Sequence, residues 1–147
     1  MIQMSESNRQ WQCYQEAEFL FTQALSSELS FAIITAHNPK GQLLSACQNR
    51  LLDRQLQFEI QQLHRPYRAM IGASADRCHM EKSWAVSIDK ASAIRLGCQF
   101  NQNAIYYVEH DKLQLIPCLL SKTQQQEEVI GPFSSRVCLV NELPDFD

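Results

Sequence analysis

The stretch that decides the fold is FAIITAHNPKGQLLSACQN, residues Phe31–Asn49. Its first part, Phe31–His37, is almost continuously apolar, which predicts a central strand covered on both faces. Asn38-Pro39-Lys40-Gly41 then predicts a turn, because proline cannot continue the strand and asparagine and glycine accept turn conformations. A helix is predicted directly afterwards. Strand-to-helix turns of this kind commonly hold ligands, so we expect a functional site at this turn.

The helix after the turn is predicted over about residues 44–64. Ser45 and Gln48 have the spacing of a capping box, in which two side chains satisfy backbone amides at a helix start. Apolar residues at helical spacing predict a wide hydrophobic face: Leu44, Cys47, Leu51, Leu52, Leu56, Phe58, Ile60 and Leu63. The His64-Arg65-Pro66 segment ends this helix.

Four further strands and one helix complete the predicted core. The strands are Tyr67–Ala73, Lys82–Ile88, Asn103–Glu109 and Lys112–Leu119. The helix begins at an Asp89 cap, and Gly97 is placed to close it. The order is therefore β-α-β-β-α-β with an added strand, which predicts an α+β domain with a ferredoxin-like core over residues 31–119.

The two ends of the chain are predicted to extend this single domain of residues 1–147. Apolar residues at helical spacing, including Trp11, Tyr14 and Phe21, predict an N-terminal helix over residues 5–27. The C-terminal extension, residues 121–147, contains a polar run and then Arg136–Val140, which predicts a short strand.

Composition favours a globular protein of the cytoplasm. The chain has 147 residues, 45% hydrophobic and 20% charged, with a net charge of −3. Scattered basic residues make nucleic acid an improbable partner. No window is apolar enough for a membrane span, and residues 1–16 lack the apolar core of a signal peptide. We therefore expect the six cysteines to be free thiols.

Motifs between about residues 31 and 108 resemble a known bacterial family. The residues that carry the resemblance are Thr35-Ala36-His37-Asn38-Pro39, Gly41, Leu44-Ser45, Asn49, Glu81, Ser83, Leu96-Gly97, Phe100 and Gln102-Asn103-Ala104. In this respect the chain is similar to the family known as domain of unknown function 3293. The resemblance implies a small bacterial cytoplasmic domain and brings no assigned activity. Asn101 stands where the family tends to have glycine.

Five polar residues are the candidate ligand-binding residues, four near predicted strand ends and Asn49 on the predicted helix: Asn38, Asn49, Glu81, Gln102 and Asn103. Amides and one carboxylate that converge on a cleft would suit hydrogen bonds to a small polar ligand. Glu81 is also the candidate general base, if burial raises its pKa. The structural alternative is that these side chains only cap turns and helices.

Metal and cofactor sites are not predicted. Cys78-His79-Met80-Glu81 contains the H-x-E of zinc deaminases, but Pro117-Cys118 is not followed by the second cysteine of their P-C-x-x-C partner motif. Two functional hypotheses remain. The first is a domain that binds a small polar molecule, with or without catalysis. The second is an interaction module that binds another protein or forms a homodimer.

Overall fold

The computed structural model of the chain describes residues 6–119 and 125–144. These residues form a mixed α/β fold with three α-helices and one eight-stranded sheet. The elements are α1 (Glu6–Gln15), β1 (Glu18–Phe21), β2 (Ser30–Thr35), α2 (Ala46–Gln62), β3 (Tyr67–Ala73), β4 (Met80–Val86), α3 (Lys90–Gln99), β5 (Ala104–Glu109), β6 (Lys112–Pro117), β7 (Glu128–Pro132) and β8 (Val137–Leu139).

The strand order across the sheet is β7-β6-β5-β2-β4-β3-β1-β8. Strand β2 lies between β5 and β4, and both pairings are antiparallel. Its buried residues Phe31–Ile34 confirm the central position predicted from the continuous apolar run. Strand β8 joins the edge formed by β1 and is parallel to it.

The sheet is curled. The ring of Phe19 on β1 lies 4.9 Å from the ring of Tyr106 on β5, although β3, β4 and β2 separate these strands in the sheet. A short 3-10 turn, Phe133–Arg136, connects the edge strands β7 and β8. Phe133 packs against the rings of Phe19, Phe21 and Phe31, so it fills the concave side of the curl.

The two faces of the sheet have different coverings. On the convex, outer face, Trp84 and Val86 pack with Leu56 and Ile60 of α2 and with residues of α3. On the concave, inner face, the phenylalanine cluster is closed by α1, whose Trp11 packs with Leu115. Because side chains alternate along a strand, consecutive residues of β4 point to opposite faces.

Several local predictions are confirmed. Ser45 and Gln48 form the capping box at the start of α2, and the Asp89 side chain accepts a hydrogen bond from the Ser92 amide at the start of α3. Strand β3 has the predicted bounds, Tyr67–Ala73. Strand β8 lies within the short strand predicted over residues 136–140.

The prediction of a helix over residues 5–27 is wrong. Helix α1 ends at Gln15, and Glu18–Phe21 is strand β1, paired with both β3 and β8. The Arg136 guanidinium donates hydrogen bonds to the backbone oxygens of Gln15 (2.7 Å) and Ala17 (3.0 Å), which satisfies carbonyls that a longer helix would have used. Residue 5 lies outside the described residues.

Two details of the predicted helices are also corrected. Gly97 does not close α3, which continues to Gln99; a Cβ at Gly97 would come within 2.7 Å of both Cys118 Sγ and Ile105 Cγ2. Glycine is therefore needed for close packing. In α2 the predicted apolar face is divided, because Leu51 and Phe58 are 56% and 58% exposed.

The C-terminal segment contributes more structure than predicted. Strand β7 extends the sheet beyond β6, with a register shift between Leu113 and Gln114. The parts of the predicted extension at residues 121–124 and 145–147 lie outside the described residues. Among the helices that the structure describes, none has the length and apolarity needed to cross a membrane.

Candidate functional site

The turn after β2 is built around the side chain of Asn38. Its backbone is left-handed, with φ 50° and ψ 60°, a conformation that asparagine accepts more readily than most residues. Its Oδ1 accepts hydrogen bonds from the Leu44 amide (2.9 Å) and from Asn49 Nδ2 (3.0 Å). In return, Asn49 Oδ1 accepts from the Asn38 amide at 2.9 Å. The two asparagines therefore fasten the turn to the first part of α2.

Glu81 joins this network from the inner face of β4. Asn38 Nδ2 donates a hydrogen bond of 2.8 Å to Glu81 Oε2. Burial raises the pKa of Glu81 to about 7, although the hydrogen bond from Asn38 acts to lower it. No lysine or arginine in residues 6–119 or 125–144 forms an ion pair with Glu81. Its carboxyl group is therefore poised to exchange a proton near neutral pH.

Two tyrosines share the inner side with Glu81. Burial is the main cause that raises the pKa of Tyr14 and of Tyr106, and the charge of Glu81 raises both further. The Tyr106 hydroxyl donates to the Tyr14 backbone oxygen at 2.7 Å, which holds α1 against the sheet. We call Glu81, Asn103, Tyr14 and Tyr106 the inner polar cluster, and the Asn38 side chain is hydrogen-bonded to its Glu81.

Gln102 and Asn103 are buried, and their side chains are used within the fold. Gln102 Nε2 donates to the backbone oxygens of His37 (3.2 Å) and Phe100 (3.3 Å). Asn103 Nδ2 donates to Gln10 Oε1 (3.0 Å) and to the Tyr14 hydroxyl (3.2 Å) in α1. The structure therefore brings Asn38, Asn49 and Glu81 into one network, whereas Gln102 and Asn103 hold the neighbouring loop and α1.

A groove of about 560 Å³ lies on the outer face next to the Asn38 turn. Helix α2 forms one wall, and the C-terminal residues Leu143 and Pro144 form the other. Its lining residues are His37, Asn38, Leu43, Leu44, Ala46, Asn49, Arg50, Asp53, Arg54, Gln57, Ile71, Met80, Lys82, Leu143 and Pro144. Of the five predicted ligand residues, Asn38 and Asn49 line this groove, and the other three do not.

The charged centre of the groove is Asp53, a buried residue of α2. Its Oδ2 lies 3.0 Å from Lys82 Nζ, and its Oδ1 accepts a hydrogen bond of 2.8 Å from Trp84 Nε1. Lys82 Nζ also lies 4.8 Å from the centre of the Trp84 ring, in cation–π geometry. Burial lowers the pKa of the nearby His37, which Asp53 raises and Lys82 lowers.

Sequence reasoning missed Asp53 and Lys82, although one signal was available. Asn49, Asp53, Leu56 and Ile60 have helical spacing and form the buried face of α2. A carboxylate on such a face requires a partner, because an unpaired buried charge is strongly unfavourable. The partner itself could not be read from spacing, since Lys82 is supplied by a distant strand.

Comparison with known proteins agrees with the resemblance seen in the motifs. Residues 34–105 match the family described as Protein of unknown function (DUF3293). The predicted family is thereby confirmed over this segment. No curated protein and no solved structure matches the chain. The DUF3293 segment contains every residue that lines the groove except Leu143 and Pro144.

The Cys78–Glu81 motif of the DUF3293 segment does not form a compact site. Cys78 and His79 are exposed in the loop before β4, whereas Glu81 is partly buried on the inner face. Across residues 6–119 and 125–144, no group of three or more histidine, cysteine, aspartate or glutamate side chains is arranged to hold a metal ion. Around the Asn38 turn, the described side chains form hydrogen bonds and the Asp53–Lys82 ion pair.

Proposed function

We propose that this protein binds a small polar molecule in the groove between α2 and the C-terminal segment, beside the Asn38 turn. The observation that carries the proposal is the groove itself, whose volume of about 560 Å³ lies in the range of small-molecule sites. Ile71, Met80 and Leu143 supply apolar surface, and charged side chains from α2 and β4 supply polar groups.

Asn38, Asn49 and Glu81 take positioning roles in this proposal. The oxygen of Asn38 already accepts two hydrogen bonds, and its amide nitrogen donates to Glu81. These bonds fix the turn that forms one end of the groove. A ligand would make its polar contacts with neighbouring lining residues, of which Arg50, Arg54 and Gln57 project from the same helix.

Location within the family segment supports the same proposal. Thirteen of the fifteen lining residues fall within residues 34–105, the segment that matches the family. Helix α1 and strand β1 lie outside that segment and contribute no lining residue. The groove is thus formed mainly by the part of the chain that matches the family.

The alternative is an interaction module, and one observation favours it. Leu51 and Phe58 are 56% and 58% exposed on one face of α2, where they offer apolar surface to a protein partner or a second copy. The side chains of Gln102 and Asn103 form hydrogen bonds within the protein, which also agrees with this alternative. The aromatic residues of α1 do not supply such a surface, because Trp11 is buried against Leu115.

We also propose that residues 1–147 are one domain with a ferredoxin-like core. Strands β5-β2-β4-β3 are neighbours in that order, and each pairing is antiparallel. Helices α2 and α3 connect β2 to β3 and β4 to β5, and both pack on the outer face. Strands β1 and β8 extend the same sheet, which supports a single unit.

A thermal-shift panel of nucleotides, amino acids, sugars, polyamines and divalent metals tests the binding proposal. A ligand at about 100 times its Kd stabilises by roughly 2.7 kcal/mol, which raises the Tm of a domain of this size by roughly 5–10 °C. Ala46→Trp should abolish the shift, because Ala46 is an exposed lining residue and an indole there would fill the groove.

Gln55→Trp is the matched control. Gln55 is an exposed residue of α2 that does not line the groove, so this variant should keep the ligand-induced shift. A shift that survives Ala46→Trp would place the ligand elsewhere and contradict the proposal. A flat panel would favour the interaction module, and a pull-down with wild-type protein and Phe58→Ser would then test the α2 surface.

A further inference from the structure

We infer that the exposed face of α2 binds a second copy of this chain, with the two α2 helices side by side and parallel. The surface consists of Leu51, Arg54, Gln55, Phe58 and Glu59, and we call it the α2 ridge. This association goes beyond ligand binding in the groove beside the Asn38 turn and does not depend on it.

The α2 ridge lies on the side of the helix opposite the core. The buried stripe of α2, which faces the sheet, contains Asn49, Asp53, Leu56 and Ile60. Leu51 and Phe58 are two helical turns apart and point away from that stripe. Each is more than half exposed. A second molecule can therefore contact the ridge without moving α2 from the sheet.

A second groove, of about 610 Å³, lies beside the α2 ridge, next to the end of α3. Its apolar lining residues are Leu51, Leu52, Phe58 and Phe100. The two charged residues of the ridge, Arg54 and Glu59, also line it. A long side chain from a second molecule, with an apolar stem and a charged end, would match this surface.

The two charges of the α2 ridge are available to a partner. Arg54 and Glu59 form no ion pair with any described residue. Opposite charges three or four positions apart on a helix can pair, but neither residue has such a neighbour on α2. Because Arg54 and Glu59 are five positions apart, they lie on opposite flanks of the ridge. One flank is therefore positive and the other is negative.

This charge pattern fits a second copy in parallel orientation. In the seven-residue notation abcdefg of paired helices, Arg54 takes position g and Glu59 takes the following e, while Leu51 and Phe58 take d. In a parallel pair, g of each helix faces the following e of the other, so the Arg54–Glu59 ion pair forms twice. In an antiparallel pair each flank meets its equivalent, and Arg54 would face Arg54 of the other copy.

Sedimentation equilibrium of the full chain, at concentrations up to about 1 mM, measures the Kd of the dimer. We expect weak, reversible association, because one helix from each copy makes the contact and Gln55 lies between its two apolar residues. A wild-type chain that remains monomeric at about 1 mM would overturn the inference.

Leu51→Ser and Phe58→Ser test the apolar part of the contact. Each removes apolar surface from both copies and should raise the Kd at least about tenfold. Leu43→Ser is the matched control, because Leu43 is also an exposed leucine but precedes α2. Its Kd should remain within about twofold of wild type. A Kd that neither Leu51→Ser nor Phe58→Ser changes would place the association on another surface and contradict the inference.

Exchange of the charges tests the parallel orientation. Arg54→Glu and Glu59→Arg each put like charges at both contacts, so each variant alone should raise the Kd about tenfold. In an equimolar mixture, the heterodimer again has opposite charges at both contacts, and its Kd should return to within about threefold of wild type. Arg95→Glu, at an exposed position on α3, is the control and should leave the Kd within about twofold. A mixture that associates no more tightly than Arg54→Glu alone would show that the parallel arrangement is wrong.

Discussion

Glu81 and Lys82 are consecutive residues of β4, and they serve two very different polar sites on opposite faces of the sheet. On the outer face, Lys82 pairs with Asp53, which also accepts from the Trp84 indole. On the inner face, Glu81 accepts a hydrogen bond from the side-chain nitrogen of Asn38 and has no ion-pair partner among the described residues.

The two carboxylates therefore differ in whether a positive charge lies beside them: Asp53 has the Lys82 ammonium, and Glu81 has no such partner among the described residues. Asp53 has a cation and a hydrogen-bond donor as partners, whereas the partly buried Glu81 has a single amide donor, and burial raises the pKa of Glu81. The inner polar cluster is covered by α1, and the outer groove is open to solvent. We therefore propose the outer groove as the ligand-binding site and expect substitutions in the inner polar cluster to change the stability of the fold.

The largest effect is expected from Asp53→Ala. This change leaves the Lys82 ammonium and the Trp84 N–H without their shared acceptor, and it should lower the free energy of unfolding by about 2–4 kcal/mol. Lys82 is 35% exposed, so water partly compensates its charge. Urea denaturation measures the effect.

Gln55→Ala is the control, because Gln55 lies on the exposed side of the same helix, and it should change stability by less than about 0.5 kcal/mol. Equal losses of stability in Asp53→Ala and Gln55→Ala would contradict the pairing of Asp53 with Lys82.

Asn38→Ala tests the residue that connects the two sites. It removes two acceptor bonds and one donor bond, and it leaves alanine at φ 50°, so we expect a loss of about 2–3 kcal/mol. Asn38→Gly should recover part of the loss, about 1 kcal/mol, because glycine accepts the left-handed backbone. If the two variants are equally stable in urea, backbone conformation contributes little at this turn.

Glu81→Gln tests whether the Glu81 carboxyl group makes the stability of the protein depend on pH. The pKa of Glu81 is about 7 in the folded protein against an ordinary value of 4.5, so the folded state holds the proton more tightly. Wild-type stability contributed by this group is therefore present below pH 4.5 and is lost as pH rises through about 7. The free energy of unfolding of Glu81→Gln, measured relative to that of wild type, should therefore rise by about 1–3 kcal/mol on going from acidic to alkaline pH.

Chemical denaturation of wild type and Glu81→Gln on both sides of neutrality gives this difference directly. The buried His37 contributes to the pH dependence of both proteins, so its effect cancels in the comparison. A stability difference that does not change with pH would show that Glu81 is ionised at an ordinary pKa.

The smallest effect is expected from Tyr14→Phe. Its hydroxyl accepts one hydrogen bond of 3.2 Å from Asn103, which keeps a second acceptor in Gln10. We expect a loss of about 0.5–1 kcal/mol in thermal or urea unfolding. Tyr67→Phe is the control, because the Tyr67 hydroxyl accepts a hydrogen bond of the same length from Gln61 at an exposed position. A larger loss from Tyr67→Phe would mean that the inner cluster does not anchor α1.

Part of this comparison could be predicted from sequence. Asn38, Asn49 and Glu81 were identified as polar residues near strand and helix ends, and the structure joins them in one network. Asp53 and Lys82 were not identified, although Asp53 lies on a face with helical apolar spacing. A helical pattern shows that a side chain is buried, but it does not show which distant strand supplies the compensating charge.

The sequence by itself determined the local features of this protein. The capping box at Ser45, the Asp89 cap and the turn at Asn38 each depend on residues close together in the chain. Their energies are set by neighbouring backbone groups, so they can be read in order. The mixed α/β composition and the central position of β2 follow in the same way from apolar runs.

Only the tertiary structure decided which strands pair and which face of the sheet each helix covers. Glu18–Phe21 is a strand because β3 and β8 supply its hydrogen bonds, and Arg136 satisfies the carbonyls where α1 ends. The position of Glu81 inside the curl, and of Lys82 outside it, likewise depends on which face α1 and α2 cover. These outcomes rest on contacts between residues far apart in the chain, whose free energy no local pattern contains.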